Sequence, residues 1–172
     1  MFTGAFPKDF VPGSILLVGD DGKGTVADLA AITYAGIQIS IVDCSPVIIE
    51  RLRPKAERLG WSVFTGDITD PDRIADIVKS TSGGADAVFM KHGVHLNLPK
   101  DQKNIVAGLF GLCRNDGIVG WSVPTAVVGW LARPQERFVD KTVRHDFLHS
   151  TVYIGRNTPG RQLRVLQVSR GE

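Results

Sequence analysis

ILLVGDDGKGTVADLAAITYAGIQISIVD, residues 15 to 43, decides how this chain folds. Ile15-Leu16-Leu17-Val18 is an unbroken apolar run, which marks a strand covered on both faces. It breaks at Gly19-Asp20-Asp21-Gly22-Lys23-Gly24-Thr25, where closely spaced glycines let the backbone turn sharply and come near a ligand. Val26, Leu29, Ala30 and Thr33 then recur at helical spacing, and Gly36 stands where helices end on glycine. Ile37 to Val42 is a second apolar strand, closed by Asp43. Such a unit crosses over right-handedly, so its two strands are parallel neighbours. The glycine turn and Asp43 then meet at the carboxyl edge of the sheet, where open α/β sheets bind ligands. Asp43 follows the turn at about the spacing at which an acid meets ribose hydroxyls, so a nucleoside-bearing cofactor is expected. A tight turn and a loop acid with no ligand is the competing reading.

Downstream the alternation continues. Ser45-Pro46 reads as an N-cap with proline at the first helical position, and Ile48, Leu52, Ala56 and Leu59 carry an apolar stripe to Gly60. Pro54 is expected to kink or split this helix. Arg51, Arg53, Lys55 and Arg58 crowd it and read as a solvated face. Trp61 to Thr65 is a third strand, followed by the turn Gly66-Asp67-Ile68-Thr69. Asp70-Pro71 opens a helix with Ile74, Ile77 and Val78 inward. Ala85 to Met90 is a fourth strand, and Lys91 to Pro99 leaves it irregularly. A helix over 101–114 turns Ile105, Leu109, Leu112 and Cys113 inward, and Asn115-Asp116-Gly117 leads into a fifth strand, Ile118 to Val123. This pattern builds a parallel sheet with helices on both faces. Val139, Val143 and Phe147 suggest a further helix, and Thr151–Ile154 and Leu163–Val168 two more strands. The connection through Asn157-Thr158-Pro159-Gly160 is too short for a crossover helix, so this last pair is expected to be an antiparallel hairpin.

The 172 residues suit a single domain, 1–172, with 1–13 as a lead-in segment and 124–149 as a substrate-side insertion. Composition is that of a soluble globular protein, 43% hydrophobic and 22% charged, and a net charge of +2 argues for neither nucleic acid nor membrane. Cys44 and Cys113 make no metal-binding spacing and read as reduced thiols of a cytoplasmic protein. The N-terminal stretch has neither the basic start nor the apolar core of a signal peptide.

Five parallel strands closed by an antiparallel hairpin, seven strands in one Rossmann-like doubly wound sheet, resemble the class I S-adenosylmethionine-dependent methyltransferases. Ile15 to Thr25 resembles the family's first motif, whose turn cradles the methionine part of the cofactor. Ile41-Val42-Asp43-Cys44-Ser45 resembles the acid that holds the ribose, and Gly66-Asp67-Ile68 the turn that meets the adenine. Ala85 to Val88, on through Leu98-Pro99 and Asn115 to Val119, resembles the fourth-strand region. The resemblance thus implies an S-adenosylmethionine site at Gly19, Asp20, Asp21, Gly22, Gly24, Thr25, Asp43, Cys44, Ser45, Gly66, Asp67, Ile68 and Lys91. The family's acid late in the first strand is replaced by Val18, and its first glycine by Asp20, so Asp20 or Asp21 is left to meet the cofactor ammonium.

A sulfonium methyl is already activated, so catalysis needs a positioned acceptor and, where the acceptor sheds a proton, a base. His92 and His95 follow the fourth strand at the ligand edge and are the candidate catalytic residues, and loop histidines bonded to backbone are the alternative. His145 and His149 have a helical metal-binding spacing but no glutamate and no third ligand, so no metal site is assigned. Trp121 reads as core and Trp130 as a pocket wall; Arg156, Arg161, Arg164 and Arg170 read as a charged sheet edge. The expected partner is a small-molecule acceptor, with the site covered by 124–149 or by a second copy of the chain, or left open to an acceptor too large to enclose. Two other functions compete: an NAD(P)-dependent oxidoreductase or sensor, and a non-catalytic partner subunit on the same fold. Gly19, Gly22 and Gly24 do not spell the dinucleotide fingerprint.

Overall fold

The computed structural model describes residues 9–91, 93–96, 99–124, 143–146 and 150–158, with backbone alone at 95, 99, 100, 124, 143–146, 150 and 151. The strands are β1 (Ser14–Val18), β2 (Gln38–Asp43), β3 (Ser62–Thr65), β4 (Ala85–Lys91), β5 (Cys113–Pro124), β6 (Val143–Asp146) and β7 (Ser150–Arg156). The helices are α1 (Thr25–Thr33), α2 (Pro46–Leu59), α3 (Pro71–Ser80) and α4 (Pro99–Leu112). All seven strands form one sheet in the order β3-β2-β1-β4-β5-β7-β6. β1 to β5 pair in parallel, and β7 runs antiparallel to both β5 and β6.

The sheet is doubly wound because its strands are apolar on both faces. Leu16 and Val18 of β1 join the core under α3 and α4, with Ile77, Ile105, Val106 and Leu109. Ile15 and Leu17 face the other way, onto Ala27 and Ala30 of α1 and Leu52 of α2. The helices therefore change faces between β1 and β4, which sets the switch point of the strand order there. Trp121 and Tyr153 are fully buried and stack at 5.6 Å between β5 and β7, so Trp121 is core as expected.

The structure revises several boundaries. In α1 the buried residues are Ala27 and Ala30, while Leu29 is 41% and Ile32 83% exposed. The small residues let the helix lie close to the sheet, and the stripe through Leu29 and Thr33 is rotated outward. Pro54 does not split α2, which runs unbroken to Gly60. The proline is exposed, and what it removes is one hydrogen bond on the solvent side. Helix α4 begins at Pro99 and ends at Leu112, and β5 starts at Cys113. The expected turn at 115–117 survives as a bulge, because the register jumps from Ala85↔Cys113 to Ala87↔Ile118 and Asp116 has φ 62. Val143 lies in strand β6, not in a helix. A spacing of four fits period two as well as period 3.6, and pairing with β7 decides between them. Among the described residues the antiparallel hairpin is β6 with β7; the expected strand Leu163–Val168 lies outside them.

Candidate functional site

Three turns meet at the carboxyl edge because the strands before them are hydrogen-bonded neighbours. The ladder continues past the strand ends: the Gly19 amide donates to the Val42 carbonyl at 2.9 Å, and the Gly66 amide to the Asp43 carbonyl at 3.0 Å. The Asp43 carboxylate sits between them. Its Oδ2 accepts the Asp20 amide at 3.1 Å and its Oδ1 the Ser45 amide at 2.8 Å.

Two cavities of about 320 Å³ each open on this edge and share Gly19 and Asp43. The first lobe is lined by Cys44, Gly66, Asp67 and Ile68, and also by Met90, Asp101, Asn104 and Ile105. The second is lined by Asp20, Asp21, Thr25 and Lys91, with Val26, Gly93 and Leu96. Most of the cofactor-binding residues inferred from the sequence are therefore gathered in one two-lobed cleft. Gly22, Gly24 and Ser45 line neither lobe. Gly22 faces Arg51 and Ile48, and Gly24 faces Trp61, Leu52 and Lys55, so both glycines serve the packing of the turn on α2.

The turn is stitched by its own carboxylates. Asp20 Oδ1 accepts the amides of Lys23 and Gly24 at 3.1 and 2.9 Å, and Asp21 Oδ1 accepts Lys23 at 2.9 Å. Thr25 Oγ1 donates to Asp21 Oδ2 at 3.2 Å. Burial pushes the Asp20 carboxyl above its ordinary value, and the neighbouring Asp21 adds to this against the Gly24 amide. Burial also acts to raise Asp21, but the bonds from Lys23, Asp20 and Thr25 outweigh it, and Asp21 is held low. Across the cleft Asp67 Oδ1 accepts the amide and hydroxyl of Thr69, both at 2.8 Å.

His95 falls in a single 3-10 turn, Val94–Leu96, just beyond β4; His92 lies outside the described residues, as do His149 and Trp130. His145 is in β6, so residues 143–146 do not carry the helical spacing expected of a His145–His149 pair. Asp101, Asn104 and Ile105, which share one face of α4, join the cleft without having been expected there. Their i, i+3, i+4 spacing on the helix after β4 was the available signal. Lys55, expected on a solvated face, is half-buried against the glycine turn. Nothing local announces that contact.

No protein-family model matches the sequence, and no curated protein matches it. Solved structures do match. PigF, solved with SAH, superposes at a TM-score of 0.66 with 18% identity, over 90% of this chain and 54% of that one. An O-methyltransferase family protein from Burkholderia thailandensis gives 0.64 and 14%, over 87% and 52%. A predicted O-methyltransferase from Agrobacterium tumefaciens gives 0.63 and 12%, over 95% and 80%. The chain thus spans about half the length of the first two. Strand order, the reversal of β7 among the described strands and these superpositions agree: the chain has the class I S-adenosylmethionine-dependent methyltransferase fold.

Proposed function

We propose that this protein binds S-adenosylmethionine in the two-lobed cleft and transfers its methyl group to a small-molecule acceptor. The observation that carries this is the charge and bonding state of the cleft. Asp20, Asp21, Asp43, Asp67 and Asp101 line it against Lys91. A sulfonium and an ammonium suit such walls. A dinucleotide would bring two phosphates, and the turn ahead of α1 meets them with the carboxylates of Asp20 and Asp21, which already take the Lys23 and Gly24 amides. This favours the methyltransferase reading over the nicotinamide one. Gly19 lines both lobes, and a Cβ there would meet nothing within 4 Å.

In this reading Asp43 holds the ribose, and Cys44, Gly66, Asp67 and Ile68 wall the adenine. The turn from Gly19 to Thr25 holds the methionine part, with Asp20 or Asp21 facing its ammonium where Val18 offers none, and Lys91 its carboxylate. The bound cofactor supplies an activated methyl, so the chain's task is to hold the acceptor in line and keep water away. His92 or His95 takes the proton the acceptor releases. The segment between β5 and β6, or a second copy of the chain, completes the acceptor side. Titration calorimetry with S-adenosylmethionine, S-adenosylhomocysteine and NAD(H) tests the reading. Heat from the first two and none from NAD(H) is expected; binding of NAD(H) alone would overturn it.

A further inference from the structure

The glycine turn is held from behind. Lys55 lies on α2 and lines neither lobe, yet its Nζ donates to the Lys23 carbonyl at 2.7 Å and to Asp28 Oδ2 at 2.6 Å. It also stands 5.3 Å from the centroid of the Trp61 ring, and its side chain is only 24% exposed. The Lys23 carbonyl and the Gly24 amide are the two ends of one peptide unit. The amide end donates to Asp20 Oδ1 at 2.9 Å. This peptide is therefore pinned at both ends, although it is joined to Gly24, whose backbone would otherwise let it rotate at little cost. The space beside it is closed as well, since a Cβ on Gly24 would meet Trp61 at 3.0 Å and Leu52 at 3.4 Å.

We propose that Lys55 is a positioning residue: by fixing the Lys23–Gly24 peptide it sets the direction of the Asp20 carboxylate, and with it the shape of the second lobe. Its effect on ligand binding rests on the function proposed above; its effect on the turn does not. Asp28, in the first turn of α1, balances the Lys55 charge. When the Lys23 carbonyl is released, the Gly24 amide turns away from Asp20 Oδ1, which keeps only the longer bond from the Lys23 amide, and the carboxylate shifts in the lobe. Burial raises the Asp20 carboxyl, as expected of a group held in an enclosed position rather than extended into water.

The test pairs amide hydrogen exchange on the full chain with calorimetry of S-adenosylhomocysteine, in Lys55→Met, the milder Lys55→Gln, and Lys55→Arg. Methionine keeps the stem and loses both hydrogen bonds, whereas arginine keeps a donor. Exchange at the Lys23 and Gly24 amides should rise on the order of tenfold in Lys55→Met, while amides of β1 and β4 stay as in the wild type. Ligand affinity should fall by about tenfold in Lys55→Met and return most of the way in Lys55→Arg. Lys55→Gln should give the same pattern at smaller amplitude and decides the matter if the methionine variant does not fold. Unchanged exchange at Lys23 and Gly24 would overturn the proposal. So would faster exchange throughout β1 and β4, which would make Lys55 a general stabilising contact. A wild type that ignores the ligand, with variants that show the expected exchange pattern, would sink the methyltransferase reading and leave the positioning role standing.

Discussion

Asp43 organises the cleft with one carboxylate, since each oxygen already accepts a backbone amide, from Asp20 and from Ser45. Asp43→Ala should therefore weaken S-adenosylhomocysteine by about 1–3 kcal/mol, through lost ligand bonds and two amides left without their acceptor. Asp43→Asn, which retains one oxygen, should lose less, and equal affinity in wild type and alanine variant would place the ribose elsewhere. Asp20 gives a pH-dependent prediction. Its carboxyl is raised in the folded chain, so its stabilising contribution is present below the ordinary value of 3.8 and lost as pH rises through the higher folded value. Asp21 is lowered, so its contribution is present above 3.8 and lost as pH falls through the lower folded value. Asp20→Asn, which keeps an acceptor for the turn amides, should raise the melting temperature of the free protein at pH 7. The gain should shrink as pH is lowered into the carboxylate range, and affinity for S-adenosylmethionine should fall. A lower melting temperature at pH 7 would mean that the charge itself stabilises the turn.

Helix α4 carries one wall of the first lobe, and two contacts fix where it lies. Asn157 Nδ2 reaches the carbonyls of Phe110, Cys113 and Arg114 at 3.2, 2.6 and 3.1 Å, capping the end of the helix. Asn157→Ala should cost about 1–3 kcal/mol in a denaturant titration, and a loss within a few tenths would show the cap to be idle. At the middle of the helix Gly108 lies so close to the loop after β3 that a Cβ would meet the Ile68 carbonyl oxygen at 1.9 Å. Gly108→Ala should push α4 away from Ile68, costing about 1–3 kcal/mol of stability and, on the proposed reading, affinity too. Asn157 looked like a plain turn residue, and Gly108 looked like nothing. Both act through contacts between segments distant in sequence, which local patterns do not encode. The core strands were legible because strands covered on both faces need unbroken apolar runs, and Ile15–Val18 and Ala87–Met90 have them. The face of α1 was not, because apolar residues almost surround it, and only the sheet's demand for small side chains chose Ala27 and Ala30.

At the scale of the molecule, the sheet order explains why much of the site could be read from one sequence. Each motif follows directly on a strand, and neighbouring parallel strands deliver their turns to the same edge. The wall supplied by α4 was hidden, because it depends on which face of the sheet the helix covers. The same geometry divides the cleft in two, and the division is testable with the two free thiols. Cys113 is buried, and burial, with Asp86 adding and Arg114 opposing, pushes its thiol up to about 12. Cys44 is exposed and lines the first lobe but not the second. A thiol reagent at pH 8 should therefore label Cys44 and spare Cys113 until the protein is unfolded. If adenosine occupies the first lobe, saturating adenosine should slow the labelling of Cys44, S-adenosylhomocysteine should slow it further at equal concentration, and methionine should leave it unchanged. Protection by methionine alone would reverse the assignment of the lobes. Labelling indifferent to all three ligands would remove the nucleoside from this cleft, and the proposed chemistry with it.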